Sequence, residues 1–347
     1  MKRIDRNEDK FEVIDLFGVL ARKSGLKFND PAAHNQFVDQ VSSGLTAGRN
    51  NPIILHGRRV EGMFEHVVAG LGKALAVKRE DAGDVCAAEP SIQPPDFRLV
   101  LDNGTEIFVE VKNCHKENPN FKYTFKTSYL DEIKKYASLF TRPLYIGIFW
   151  SRWRRWTLLS PDDLENGKRP YTTFLKAMKK NRMAMLGDIF VGTTPPLTFR
   201  IVTDPNAPRK VESDGQCAFT IGGIELYCAG HRLVDPVEKR LAFYFMLNSD
   251  WTTQEKAAKI VDNDLVHYDF VAAPEEPIAN QNFQMLGCLS EMISLSYNEL
   301  TSENGTILRL SPAAEPGSLG IVIPAEYKGV HLPLWRFILQ PQVVGSV

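Results

Sequence analysis

One stretch constrains the fold more than any other: PDFRLVLDNGTEIFVEVK, residues 95 to 112. Apolar residues alternate with others through Phe97, Leu99 and Leu101, stop at Asp102-Asn103-Gly104, and resume through Ile107, Val109 and Val111. A period of two marks a half-buried strand, and Asp-Asn-Gly is turn chemistry, so the segment predicts a hairpin. If Asp102-Asn103-Gly104 is a three-residue loop with Gly104 left-handed, Leu101 pairs with Thr105 and Asp96 falls opposite Glu110. A two-residue Asn-Gly turn would set Asp96 opposite Val111 and mix apolar with charged residues on both faces. Burial of one face therefore selects the three-residue loop. Asp96, Arg98, Glu106, Glu110 and Lys112 then share the other face.

Two carboxylates and an amine thus converge at one end of the hairpin. Carboxylates a few ångströms apart repel each other, and a hard divalent cation with oxygen ligands relieves the strain. Such a cation polarises a phosphoryl oxygen and acidifies a bound water, while Lys112 orients that water or steadies the transition state. The same residues also read as an ordinary exposed cluster of Glu, Lys and Asp.

Around the hairpin the chain is helical and stranded in turn. Residues 9 to 47 show helical spacing broken at Asp30-Pro31, predicting helices over 9–24 and 31–45 as an extension spanning residues 1–50. A stronger helix over 58–76 places Val60, Met63, Phe64, Val67, Val68, Leu71, Ala74 and Leu75 on one face. After the strands 97–101 and 105–112 come a helix at 128–140 and a buried strand at 144–150. Helix, strand, strand, helix, strand makes an α/β unit with a mixed sheet, assigned to residues 51–160. Residues 161–210 read as a connection with a basic helix near 173–185 and a Pro-rich stretch from 194 to 208. Residues 211–347 read as a C-terminal α+β domain. It begins with a hairpin about Gly222-Gly223, followed by a strand at 240–247, helices at 253–261 and 282–300, and short strands.

In this order of elements, Pro95-Asp96 followed by Glu110-Val111-Lys112 resembles the PD-(D/E)XK nuclease superfamily, which includes restriction endonucleases and Holliday-junction resolvases. The resemblance covers residues 55 to 155. It implies a restriction-endonuclease-like mixed sheet flanked by helices, and a Mg²⁺- or Mn²⁺-dependent endonuclease hydrolysing nucleic acid, DNA first, in restriction, repair, recombination or phage defence. It implies metal ligation by Asp96, Glu110, Val111 and an acid on the preceding helix. Glu65 fits that last place, with Glu61, one turn earlier, as a competitor. The catalytic set is then Glu65, Asp96, Glu110 and Lys112. The family often carries Gln-x-x-x-Tyr on the next helix; this chain has Glu132-x-x-x-Tyr136. The alternative reading is a non-catalytic nucleic-acid-binding or protein-interaction module on the same fold.

A net charge of −1 hides an asymmetry that bears on partners. From Lys112 to Arg182 there are 16 Lys and Arg against 6 Asp and Glu, whereas from Val211 to Glu303 acids outnumber bases 15 to 5. The basic window suits a polyanion, with Lys126, Arg152, Arg154 and Arg155 as expected phosphate contacts. The acidic part suits self-association or a protein partner. Trp153 and Trp156 are candidates for base stacking or for anchors beside a strand end. His66 and His115 read as groups on the surface or behind the site, lacking metal-ligand spacing. Five scattered cysteines without CxxC exclude a disulfide framework or Cys-built zinc site. The charged start, MKRIDRNEDK, and the shortness of the longest apolar run point to a cytoplasmic protein outside the membrane.

Overall fold

The computed structural model describes residues 1–3, 13–81, 85–88 and 91–341. The chain forms two compact units, one mainly from Met1–Leu186 and Tyr297–Leu319, the other from Gly187–Ser296 and Gly320–Leu339.

The first unit opens with α1 (Val13–Ser24) and α2 (Pro31–Arg49). The break at Asp30-Pro31 is a helix start: the Asp30 carboxylate accepts from Ala32 N at 2.9 Å, and Pro31 takes a first-turn position that lacks a partner for an N–H. Asn51 and Pro52 repeat the device for α3 (Pro52–Leu71). Most of the 9–24 expectation is met, and residues 9–12 lie outside the described residues. Gly72, at φ 82°, caps α3 in the left-handed conformation, so the helix ends short of the expected 76. Ala74 and Leu75 instead begin a strand that the sequence reading missed, β1 (Ala74–Arg79), and Leu75 points outward, 66 % exposed.

The strands that follow are β2 (Phe97–Leu101), β3 (Glu106–Cys114), the short β4 (Tyr123–Thr124), β5 (Leu144–Trp150) and β6 (Arg155–Leu159), with β7 (Tyr171–Thr172) pairing with β4. The main sheet runs β1-β2-β3-β5-β6 and is mixed, its parallel pair being β3 and β5. That pair needs a crossover, and α4 (Thr127–Leu139) supplies it. The hairpin has the expected register. Phe97 pairs with Val109 and Leu99 with Ile107, Leu101 N donates to Thr105 O at 2.8 Å, and Gly104 has φ 79°.

Both faces of the sheet are covered. On one, Phe64 of α3 lies 5.4 Å from Phe97 and 5.3 Å from Trp156, centroid to centroid. On the other, Phe108 meets Tyr136 of α4 at 5.5 Å within a core that includes Leu130, Ile133, Ile146 and Ile148. Each fully buried side chain of this size contributes about 1.5–3 kcal/mol. The second layer also buries the polar face of the hairpin: Glu110 is only 1 % exposed. The basic helix expected over 173–185 is split into α5 (Phe174–Lys179) and a 3₁₀ turn, Met183–Leu186. Asn181 divides them, its buried amide oxygen accepting from Leu158 N and Met183 N.

The second unit contains β8 (Phe190–Thr193), β9 (Leu197–Thr203), β10 (Ile221–Cys228), β11 (His231–Arg232), α6 (Pro236–Asn248), β12 (Thr252–Val261), β13 (Asp264–Ala273), β14 (Gln284–Cys288) and most of α7 (Leu289–Thr301). An antiparallel sheet runs β11-β10-β9-β13-β12. Here several sequence expectations fail. Gly222-Gly223 makes no turn: β10 runs through it, paired with β9 across a register shift between Ile221 and Gly223, and Gly222 is needed there because a Cβ would stand 2.9 Å from the Asp204 backbone. The run at 240–247 is helical, started by Asp235, whose carboxylate accepts from Val237 N and Glu238 N. The segment 253–261 is a strand, turned into β13 by Asp262 and Asn263, both at positive φ, as a tight hairpin demands. The first residues of the 282–300 helix form β14.

Candidate functional site

Asp96 enters the site as the residue before β2, one step past the Phe97–Val109 pair, which brings it beside Glu110. Its Oδ2 accepts from Val111 N at 2.6 Å. Burial, and then the Glu110 charge, push its carboxyl up to about 8. Glu110 accepts through Oε1 from both the Lys112 ammonium and the Tyr129 hydroxyl. Lys112 Nζ also donates to Tyr129 Oη at 3.3 Å and lies 5.0 Å from the ring centroid. Burial alone would lower the Lys112 pKa, but Glu110, Tyr129 and Asp96 together hold it above the ordinary lysine range. Burial and the Glu110 charge hold Tyr129 above the ordinary tyrosine range, so its hydroxyl stays a donor. Glu110 Oε2 is buried and accepts no hydrogen bond, an uncommon condition for a buried carboxylate oxygen.

A second group of acids meets Asp96 from the other direction. One oxygen each from Glu61, Asp81 and Asp96 lie within 4.8 Å of one another. Glu61 comes from α3 and Asp81 from the residues after β1. Arg58 Nη1 bridges Glu61 Oε2 at 2.7 Å and Asp81 Oδ2 at 3.1 Å, and Arg79 reaches Glu61 at 3.4 Å. Glu65 stands outside this group, its carboxylate paired with Arg3 at 3.1 Å and with Arg79 at 3.6 Å. One turn of α3 decides this, and the structure brings Glu61, the competitor, to Asp96. All the donors in this group are hard oxygens, and Glu110, another oxygen donor, interacts with Asp96 but is not one of the three that lie within 4.8 Å of one another. That set fits Mg²⁺ or Mn²⁺, hard cations that prefer oxygen ligands.

The remaining expected residues are spread more widely. Lys126 is exposed at the N-cap of α4, where its side chain makes no capping bond. Arg152 is exposed and paired with Glu117 at 2.5 Å, Arg154 is exposed in the turn after β5, and Arg155 is half-buried at the start of β6 with Nη1 out of solvent. Trp156 is 1 % exposed and closed to a base, while half-buried Trp153 stacks on Phe174 at 4.4 Å. His66 lies outside the site, wholly buried on α3 against the Tyr297 ring, and burial followed by the charge of Arg3 pushes it down to about 4. Tyr136 is also elsewhere, donating to Glu80 Oε1 at 2.7 Å. Sequence reasoning missed Tyr129 and Asp81. The first had a signal, an aromatic residue in the opening turn of the helix after Glu110-Val111-Lys112; the second follows β1, a strand that the sequence reading missed.

No protein-family model matches the chain, and no curated protein matches it. Among solved structures it is similar to Hjc, a Holliday junction resolvase of the archaeal hyperthermophile Archaeoglobus fulgidus. That match has 17 % identity and a TM-score of 0.24, and covers 33 % of this chain and 87 % of the other. The reading of the site therefore rests on its own geometry. Among the described residues, no helix is long and apolar enough to cross a membrane.

Proposed function

We propose that this chain is a metal-dependent nuclease of the PD-(D/E)XK type that hydrolyses phosphodiester bonds, with DNA as the first substrate to test. One observation carries the reading: half-buried Asp96 and Lys112 converge with buried Glu110 on one patch, where Glu110 Oε2 accepts no hydrogen bond. Glu61, Asp81, Asp96, Glu110 and the Val111 backbone are the groups that would hold the cation. When bound, a divalent cation supplies Lewis-acid polarisation of a phosphoryl oxygen and a more acidic water. The Lys112 ammonium, kept charged by its neighbours, donates a hydrogen bond to the attacking water or to the phosphoryl oxygen on which charge develops. The hydrogen bond that Asp96 Oδ2 accepts from Val111 N holds this carboxylate in place beside Glu61 and Asp81. Lys126, Arg152 and Arg154 would meet the nucleic-acid backbone.

The test is cleavage of plasmid and of single-stranded oligonucleotides in Mg²⁺ and Mn²⁺, run beside Lys112→Ala and Asp96→Ala. Lys112→Ala is expected to keep nucleic-acid binding and lose about two or more orders of magnitude in rate. Asp96→Ala is expected to lose cation binding as well, since a lone Glu110 is a poor Mg²⁺ site. Parent-like cleavage by Lys112→Ala removes the assignment. A second reading, a binding module without chemistry, is favoured by the Arg58 bridge, which already neutralises Glu61 and Asp81. It predicts salt-sensitive binding with no cleavage by the parent protein.

A further inference from the structure

We infer that Tyr129 is a positioning residue, whose hydroxyl fixes Lys112 and Glu110 so that Glu110 serves the amine through Oε1 and keeps Oε2 for a cation. The inference rests on the nuclease reading of the site. Its basis is a three-membered arrangement: Tyr129 Oη donates to Glu110 Oε1, Lys112 Nζ donates to the same oxygen, and Nζ also donates to Oη at 3.3 Å. A lysine ammonium on its four-carbon stem has no directional preference of its own, and one ion pair leaves it free to swing between the two oxygens of its partner. With a second acceptor at Oη and the ring face 5.0 Å from Nζ, the ammonium has one resting place. Glu110 is equally constrained, with two donors on one oxygen and none on the other. Without the hydroxyl, Lys112 can bridge both oxygens, and a cation must then compete with the chain's own ammonium. Tyr129 sits in the first turn of α4, the crossover that joins β3 to β5, so the helix that closes the sheet also sets the amine.

The test is Tyr129→Phe, which removes the oxygen and keeps the ring. Three quantities are read: Mn²⁺ affinity of the protein alone by electron paramagnetic resonance, the split of oligonucleotide cleavage into kcat and KM, and the thermal midpoint. The expected result is a rise in Mn²⁺ Kd of about 3- to 10-fold, following the added competition from Lys112. A fall in kcat of about 10- to 100-fold is expected, with KM unchanged, as misplacement of a reacting group predicts. A residue that merely packs would move the midpoint and neither of the others. The distinctive readout is the double variant: if Tyr129 acts through Lys112, adding Tyr129→Phe to Lys112→Ala lowers kcat little further. Parent-like Mn²⁺ affinity in Tyr129→Phe, or rate losses that multiply in the double variant, overturns the inference. Absence of cleavage by the parent protein sinks the nuclease reading instead; the Mn²⁺ titration still decides for or against Tyr129.

Discussion

Burial and the Glu110 charge push Asp96 up to about 8, well above its ordinary 3.8, and this has a direct consequence for stability. Between those two values the folded chain keeps a proton that the unfolded chain releases, so this group's contribution to stability falls as pH rises from about 4 to about 8. Each unit of the rise corresponds to about 1.4 kcal/mol. Asp96→Asn removes the titration while keeping the shape, so in chelator its stability relative to the parent should climb between pH 4.5 and pH 8. Denaturant unfolding at both values measures it, and a constant difference would contradict the burial argument. On the proposed function, added Mg²⁺ at pH 8 should reverse the order, because a cation held at Asp96 would favour the charged carboxylate of the parent. Part of this site was legible from residues alone. The period of two and the Gly104 loop fix Asp96 against Glu110 without any tertiary information. The choice between Glu61 and Glu65 was not legible, because residues one turn apart on a helix flank differ only in how the helix is rolled against its sheet.

At the scale of elements, α3 is held by chain that arrives late in the sequence. Arg59 donates to Asn298 and Thr301, and a Cβ placed on Gly62 would stand 2.6 Å from Tyr297 Oη and 3.0 Å from Leu310 O. Gly57, on the same helix, has open space. The two glycines therefore make opposite predictions for the same substitution. Gly57→Ala should stabilise by about 0.5–1 kcal/mol through helix propensity. Gly62→Ala should destabilise by about 1–3 kcal/mol, because the segment 297–319 must lift. Thermal unfolding of the pair checks this, and a stabilised Gly62→Ala would mean that the segment is not seated there. Elements with long-range partners were the ones that sequence misjudged. The apolar run at 240–247 contains no period of two, and its buried Leu241, Ala242 and Phe245 follow helical spacing once Asp235 is seen as a cap. The 253–261 stretch has helix-forming residues and becomes a strand because β13 pairs with it along its whole length. Strand preference is set largely by neighbours, which a single segment does not display.

For the whole molecule, charge and chain path matter most. Several bases between 112 and 182 are paired, Lys176 and Lys180 with Glu165, Arg182 with Asp163 and Arg142 with Glu106, but of these acids only Glu106 comes from outside the window, so the basic surplus there largely stands. Exposed Arg152 and Arg154 remain the better test of a backbone-binding surface, since the half-buried Arg155 also serves the fold. Replacing the first two with alanine should weaken binding to all sequences alike and lower the salt slope of log affinity by about 1 to 2. An unchanged slope in a filter-binding titration would assign the cluster to structure. The path of the chain carries a different kind of consequence. The unit that holds Asp96 and Glu110 is interrupted at residue 186 and resumes at 297. On a ribosome making about 5–20 residues per second, the intervening segment takes on the order of ten seconds to emerge. Through that interval α3 can pack on its sheet through Phe64, but it has no Tyr297 above Gly62 and no Asn298 beside Arg59, so the helix bearing Glu61 gains these partners only once residues 297 and 298 have emerged. On the proposed function, a nascent chain of this design gains the last supports of its cutting site only after the whole intervening segment has been made.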